Sequence, residues 1–345
     1  MTGGGTLGHC RPCLALLPYV KDHFDKIIYV GSETGPERRA VEGTLDYTCI
    51  PTVKFVRSFN LKNLTIPFRL AKSVACAEAI LKRERATLVF SKGGYVALPV
   101  CIAAAKLSIP VVSHESDLTV GLSNRLTAKK SKFFLTSFKE TAEKYQNGVY
   151  VGPPLSKEIL ADRKLASREK FSLDFKKPVL LVVGGSSGAK AVNDFVRTYV
   201  DEFLKSYEIL HICGEKHISG VKKRGYCEVG FLNDMSLAYS CADLALSRCG
   251  SNTAFELLAR NIPTLFVPLP AKASRGDQIE NARYFTEKKL ALSVKEEELS
   301  VAKVSELLSE LSKNRKSFAK NMREFVPLNA LEKTSEIVIS VAKND

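Results

Sequence analysis

The sequence predicts a two-domain α/β protein, each domain a parallel sheet covered by helices. Short β-branched or apolar runs alternate with helical segments along the whole chain. Glycine-rich loops stand between strand and helix in both halves. A length of 345 residues also exceeds one ordinary core, given about 150 residues per domain.

In the first half, strands are expected at residues 27–30, 53–56, 87–91, 110–114, 132–136 and 149–151. In the second they are expected at 178–183, 208–213, 242–247, 263–267 and 291–294. Gly152-Pro153-Pro154 interrupts the pattern and a polar, charged stretch follows to Lys177. The boundary so marked gives domains at 1–155 and 156–327, each Rossmann-like, with a terminal helix over 328–345 packing back on the first. After Gly188, the residues Val192, Phe195, Val196, Tyr199, Val200, Phe203 and Leu204 fall at helical spacing and form a core-facing stripe.

One element is missing. A glycine loop in a Rossmann-like domain follows the first strand, yet Gly3 stands two residues after Met1. That strand belongs in mid-sheet, between those near 27–30 and 87–91. Its loss would leave facing rows of N–H and C=O groups unpaired, at ~1–3 kcal/mol for each buried group. The expectation is that Met1 is internal to a longer reading frame, with about four to six apolar residues before it. A structure of this chain should then show a gap, a distortion or a borrowed segment at that place.

Formal net charge is +14, and residues 1–155 hold 21 Lys and Arg against 12 Asp and Glu. An anionic partner for the first half follows, and an anionic membrane surface and nucleic acid both offer dense phosphate. Nucleic acid is disfavoured because the sequence has no finger spacing, aromatic RNA-binding pattern or zipper-type basic helix. No run of about eighteen apolar residues and no signal-peptide layout is present, which places the protein in the cytoplasm. Nine scattered cysteines fit reduced thiols there. Cys10-Arg-Pro-Cys13 has redox spacing but opens a helix rather than a thioredoxin-type unit.

Five loops carry polar chemistry. Gly3-Gly4-Gly5-Thr6-Leu7-Gly8-His9 lets backbone approach a ligand ahead of a helix N-terminus, although a merely tight turn would use the same glycines. Gly184-Gly185-Ser186-Ser187-Gly188-Ala189 repeats that arrangement in the second half, so the two loops could confront each other across a cleft. Neither spells the dinucleotide pattern G-x-G-x-x-G. Ser247-Arg248-Cys249-Gly250-Ser251-Asn252-Thr253 leads into a helix bearing Glu256, a residue suited either to ribose hydroxyls or to the helix dipole. Ser113-His114-Glu115-Ser116-Asp117 and the polar stretch 273–281 each follow a predicted strand, where open α/β sheets bind ligands.

Taken in order with Ser91-Lys92-Gly93-Gly94-Tyr95, Gly121-Leu122-Ser123-Asn124 and Phe231-Leu232-Asn233-Asp234-Met235, these motifs resemble the MurG family, the GT-B glycosyltransferases of family 28 that make lipid II. The resemblance covers nearly the whole chain. It implies a donor domain at the C-terminal side, an acceptor domain at the N-terminal side, and reaction in the cleft between them. Glu256 would bind the ribose of UDP-GlcNAc, Leu232 would frame the uracil, and Ser186, Ser187, Ser251, Asn252 and Thr253 would meet the diphosphate. Asn193, Asp277 and Gln278 would serve the GlcNAc. Thr6, Gly8, His9, Tyr95, His114, Glu115, Asp117 and Asn124 would line the acceptor side, which takes lipid I.

The implied reaction is one inverting displacement by the 4-hydroxyl of the acceptor's MurNAc. His9 is the first choice for its base because imidazole titrates near neutrality, with Glu115 and Asp117 as rivals. No Asp-x-Asp metal motif appears, so neither metal nor cofactor is expected. The resemblance further implies a peripheral enzyme at the cytoplasmic face of the plasma membrane, with other cell-wall synthesis proteins as candidate partners. Apolar and basic residues interleave from Leu61 to Lys72, as suits a surface entering anionic headgroups. Leu7, Ser156 and Ser187 depart from the family's usual residues, and each puts one contact in question. Rival readings are a related lipid enzyme such as a diacylglycerol glycosyltransferase, a Rossmann oxidoreductase, and a non-catalytic membrane-binding relative.

Overall fold

The computed structural model describes residues 1–52, 65–174, 176–185 and 188–343. Within them the chain forms two compact units, Met1–Ser156 with Leu328–Asp345, and Lys157–Pro327. Each is an α/β unit built on parallel strands, in keeping with the expected GT-B class.

In the first unit, β1 (Ile28–Ser32) pairs with β2 (Asp46–Ile50), while β3 (Val89–Ser91), β4 (Val111–Glu115), β5 (Phe133–Thr136) and β6 (Gly148–Tyr150) form a second run in that order. Between β1 and β3 lies Thr2, bridged in parallel to Val30 on one side and Ser91 on the other. The expected rows of orphaned groups are thus paired at that level by two residues. The Met1 ammonium donates to the Ile28 carbonyl and its own carbonyl accepts from Val30 N–H, at 2.8 and 2.9 Å. Thr2 N–H donates to Phe90, its carbonyl accepts from Lys92 N–H, and its hydroxyl donates to Val30, each at 2.9 Å. Two residues give a bridge and not a strand, which is why the sheet divides there.

Helices cover both faces of this sheet. On one side Cys10, Cys13, Leu16 and Val20 of helix Leu7–Val20 pack with Leu331, Val338 and Val341 of the terminal helix Ala330–Lys343. On the other, helices Ile66–Arg83 and Ala97–Lys106 bury Val74, Ala77, Ile80, Leu81, Val100 and Ala104.

The second unit has one continuous parallel sheet. Its strands are β7 (Val179–Val183), β8 (Glu208–Ile212), β9 (Tyr226–Val229), β10 (Leu244–Ser247), β11 (Thr264–Phe266) and β12 (Leu292–Ser293), in the order β12-β11-β10-β7-β8-β9. Val179–Val183 is apolar throughout and fully buried, as a strand covered on both faces requires. The order reverses between β7 and β10, and in such sheets the ligand crevice opens at that switch point. The stripe after Gly188 is core-facing as far as Val192, Val196, Val200 and Phe203, all buried. The helix breaks at Tyr199, however, into Lys190–Thr198 and Val200–Ser206, leaving Tyr199 exposed.

Two strands, β2 and β9, lie outside the sequence expectation. Both are edge strands with partly exposed residues, so neither shows a continuous apolar run. The strand expected at 53–56 lies outside the described residues.

Candidate active site

In the first unit the polar loops gather because the positions they follow are neighbours in the sheet: Thr2 beside β3, and β3 beside β4. Gly3–Gly5 and Gly93–Gly94 meet backbone to backbone. Gly94 sits at φ +84°, and a Cβ there would lie 2.2 Å from the Gly4 carbonyl oxygen, so only glycine allows this approach. The Tyr95 ring closes over Gly5, and burial pushes its hydroxyl pKa up. Thr6 is exposed and His9 half-buried, with Thr6 Oγ1 2.9 Å from His9 Nδ1. Gly8 is half-buried in the same turn.

A buried carboxylate that the sequence reading passed over holds this glycine loop. Glu37, fully buried, accepts from Gly5 N–H at 3.2 Å and Ser32 N–H at 3.1 Å, and from the Ser32 hydroxyl. Its place after a strand in Gly31-Ser32-Glu33-Thr34-Gly35-Pro36-Glu37 was the available signal.

Glu115, a rival for the base, does similar work on the next loop. One oxygen accepts from the N–H groups of Ser116 and Asp117 at 2.9 and 3.1 Å. The other accepts from Gly121 N–H and Asn124 Nδ2 at 2.9 and 3.1 Å. A carboxylate holding four donors is committed to loop structure. Asn124 is buried under Gly93, and its amide nitrogen also reaches the His114 carbonyl at 3.1 Å, while its Oδ1 meets no partner among the described residues. Asp117 remains half-buried at the loop's edge.

His114 is fully buried, and its Nδ1 lies 2.7 Å from Lys92 Nζ, which also donates to Ser116 Oγ. Burial and then Lys92 hold the imidazole pKa well below its ordinary value. Burial likewise pushes Lys92 down to about 8, against the pull of Glu115, Cys13 and Asp117.

In the second unit the loops follow β7, β10 and β11, which are adjacent in the sheet. Gly188, at φ +76°, packs so closely on β8 that a Cβ would lie 2.1 Å from the Cys213 carbonyl. Ser186 and Ser187 lie outside the described residues. Asn193 is fully buried, donates to the Cys213 carbonyl at 2.8 Å and meets His211 Nε2 through Oδ1 at 2.9 Å. Both ends of its amide are thus engaged inside the unit, at β8 and the residue that follows it.

Gly250 precedes helix Ser251–Ala259 in extended backbone, and its side of the helix, at Ser251, Asn252 and Thr253, carries the positive end of the helix dipole, which favours an anion. Glu256, half-buried on this helix, accepts from Tyr239 Oη at 2.6 Å. Tyr239 is buried and was not foreseen; it fixes the carboxylate's direction. Arg248 is buried and donates to the Val267 and Pro268 carbonyls at 3.1 and 3.2 Å and to Glu296, so it ties the loops after β10 and β11 together.

Gln278 accepts from Leu269 N–H at 3.0 Å, and its Nε2 would stand 3.8 Å from a Cβ on Gly250. One turn on, Asn281 donates to the Cys249 carbonyl at 3.3 Å. Asp277 pairs with Arg275 at 3.5 Å. Leu232 is 4% exposed, so its side chain belongs to the core and only its backbone is placed to frame a base.

Among the described residues, no group of three His, Cys, Asp or Glu side chains is placed to hold a metal ion. Cys10 and Cys13 are buried and unbridged, with burial raising their thiols to about 12 and about 11, as packing thiols and not redox ones would have.

Comparison with known proteins agrees with this geometry. The glycosyltransferase family 28 N-terminal domain matches residues 1–135, and the glycosyltransferase family 28 C-terminal domain matches residues 179–338. The UDP-N-acetylglucosamine--N-acetylmuramyl-(pentapeptide) pyrophosphoryl-undecaprenol N-acetylglucosamine transferase of Clostridium novyi (strain NT) is 40% identical, over 98% of this chain and 97% of its own. The protein of the same name from Clostridium botulinum (strain Alaska E43 / Type E3) is 39% identical, over 99% and 98%. Among solved structures, Acinetobacter baumannii MurG superposes with a TM-score of 0.76 at 26% identity, covering 99% of this chain and 98% of that one. CalG4, the calicheamicin glycosyltransferase, shares the fold alone, with a TM-score of 0.71 at 14% identity over 99% and 96%. With loops, sheet order and near full-length identity in agreement, the chain belongs to glycosyltransferase family 28, as a member of the MurG family.

Proposed function

We propose that this enzyme transfers GlcNAc from UDP-GlcNAc to the 4-hydroxyl of the MurNAc of lipid I, giving lipid II for peptidoglycan. The observation that carries the reading is 40% identity, along almost the whole of both chains, to a relative named for that transfer. The second unit takes the donor. Its helix N-terminus at 251–253 meets the diphosphate, and Glu256, aimed by Tyr239, accepts the ribose hydroxyls. Asp277 and Gln278 stand by the sugar. The first unit takes the acceptor between the glycine loops and the β4 loop.

Attack of the 4-hydroxyl on the anomeric carbon forms the new C–O bond as the bond to the UDP oxygen breaks, inverting the α-linked donor to a β-linked product. His9 takes the hydroxyl proton: with Nδ1–H given to Thr6 Oγ1, Nε2 carries the lone pair a base needs. The leaving diphosphate's charge falls on the helix dipole.

We further infer that the enzyme works at the cytoplasmic face of the plasma membrane, docked on anionic lipid through the first unit. No helix among the described residues is long and apolar enough to cross a membrane. Phe68 is 81% exposed beside Arg69 and Lys72, and Leu122 and Leu126 are exposed either side of Arg125. The segment at 61–64 lies outside the described residues.

Sedimentation with anionic vesicles should fall with salt and with Phe68→Ser, and equal binding to neutral vesicles would count against it. The transfer itself is tested by turnover of UDP-GlcNAc with a lipid I analogue. A diacylglycerol acceptor and other sugar nucleotides serve as controls.

A further inference from the structure

We propose that Lys92 is a positioning residue that fixes His114 as a neutral imidazole with its proton on Nε2. An ammonium group has three donors and no lone pair, so the ring atom it meets at 2.7 Å must accept. Nδ1 therefore carries the lone pair. A second proton on a fully buried ring beside a buried cation is disfavoured twice over, so the single ring proton resides on Nε2.

The side chain of Lys92 has little freedom to do otherwise. Its N–H donates to the Thr2 carbonyl at 2.9 Å, and its Cβ lies 3.0 Å from where a Cβ on Gly3 would stand. Its ammonium donates to Ser116 Oγ as well as to the ring. The charged groups facing it are Glu115 and Asp117 from the β4 loop, which favour the cation, and Cys13 from the first helix.

The consequence is chemical. Nε2 faces the Gly152 backbone, which favours a proton on it, at a geometry short of a full hydrogen bond. A buried, unpaired N–H costs ~1–3 kcal/mol. His114 therefore stands as a hydrogen-bond donor held ready, and not as a second base, for an oxygen entering the first unit's loops. This last step rests on the reading of those loops as the acceptor side. Sequence reasoning missed Lys92 because a lysine beside two glycines looks like an exposed loop cation.

The test is nitrogen-detected NMR of the His114 ring in the full chain, native and Lys92→Met, together with steady-state kinetics. The native ring should show a protonated Nε2 and an unprotonated Nδ1 at about pH 7. In Lys92→Met the Nδ1 signal should shift and the ring should titrate closer to neutrality. Turnover should fall about ten-fold with the KM for UDP-GlcNAc unchanged. Lys92→Met leaves His114 Nδ1 and Ser116 Oγ without their donor, so thermal midpoints are measured beside the kinetics and turnover is compared well below the midpoints of both proteins. In a His114→Ala background, Lys92→Met should cost nothing more.

A ring signal unchanged by Lys92→Met, or a native ring protonated at Nδ1, overturns the inference. A changed ring with full turnover leaves the control of His114 by Lys92 standing, and overturns instead the placement of His114 at the acceptor.

Discussion

Both units hang their loops on the carboxyl ends of parallel strands, but they hold them by different means. In the first, buried carboxylates accept from the unit's own backbone, Glu37 from Gly5 and Ser32 and Glu115 from the loop after β4, while Lys92 holds the His114 ring. In the second, the sheet is continuous and the loops are tied by Arg248, Asn193 and Asn281 acting on backbone carbonyls, while the carboxylate of Glu256 is half-buried against Tyr239. At the middle position of the first unit's sheet, Met1 and Thr2 pair with β1 and β3. Glu37 and Glu115 are buried beneath their loops, whereas Glu256 is half-buried with Tyr239 on its carboxylate.

The sharpest way to separate scaffold from chemistry is His9. If it is the base, His9→Ala should lower kcat by ~10²–10⁴-fold while UDP binding to the second unit is unchanged. A kcat within a few-fold of native would remove His9 from the role and leave Glu115 and Asp117 as the candidates.

The paired carboxylates come next. Glu115→Ala strips the acceptor from four N–H donors and should cost ~3 kcal/mol or more of unfolding free energy in chemical denaturation, with UDP affinity intact. Glu256→Gln should do the reverse: an unaltered denaturation curve, and UDP binding weakened ~10–100-fold in calorimetry, since hydrogen bonds to charged groups contribute ~1.5–3 kcal/mol. If the two variants behave alike, the contrast between the units is wrong.

A smaller effect is read by pH. Burial lowers His211 from 6.5 to about 4, so in that window the unfolded chain binds a proton that the folded chain refuses. Stability should therefore rise with pH through this window and be lost as pH falls through it, by up to about 1.4 kcal/mol per pH unit. His114 adds the same sign in the first unit. Thermal midpoints of His211→Gln across the window should show a flatter slope than native; an identical slope would assign the acid sensitivity elsewhere.

What was legible in the sequence was what depends on local pattern. Val179–Val183 and the glycine loops announce themselves through apolar runs and turn residues, and the mid-sheet place next to Ile28–Ser32 and Val89–Ser91 was identified from the missing run. Edge strands such as Tyr226–Val229 escaped because half-exposed strands carry no continuous apolar signal. At the site, residue type was visible but partnership was not. Glu37 meets Gly5 across 32 positions, and Tyr239 meets Glu256 across 17. The buried partners of Asn193, Asn124 and Glu115 are likewise invisible in the sequence.

The central claim is the transfer itself, and the most direct measurement is the structure of its product. UDP-GlcNAc and a lipid I analogue, incubated with the full chain, should yield UDP and a disaccharide whose proton NMR shows GlcNAc β-linked to the 4-hydroxyl of MurNAc. No product, an α-linked product, or equally fast transfer to diacylglycerol would contradict the account.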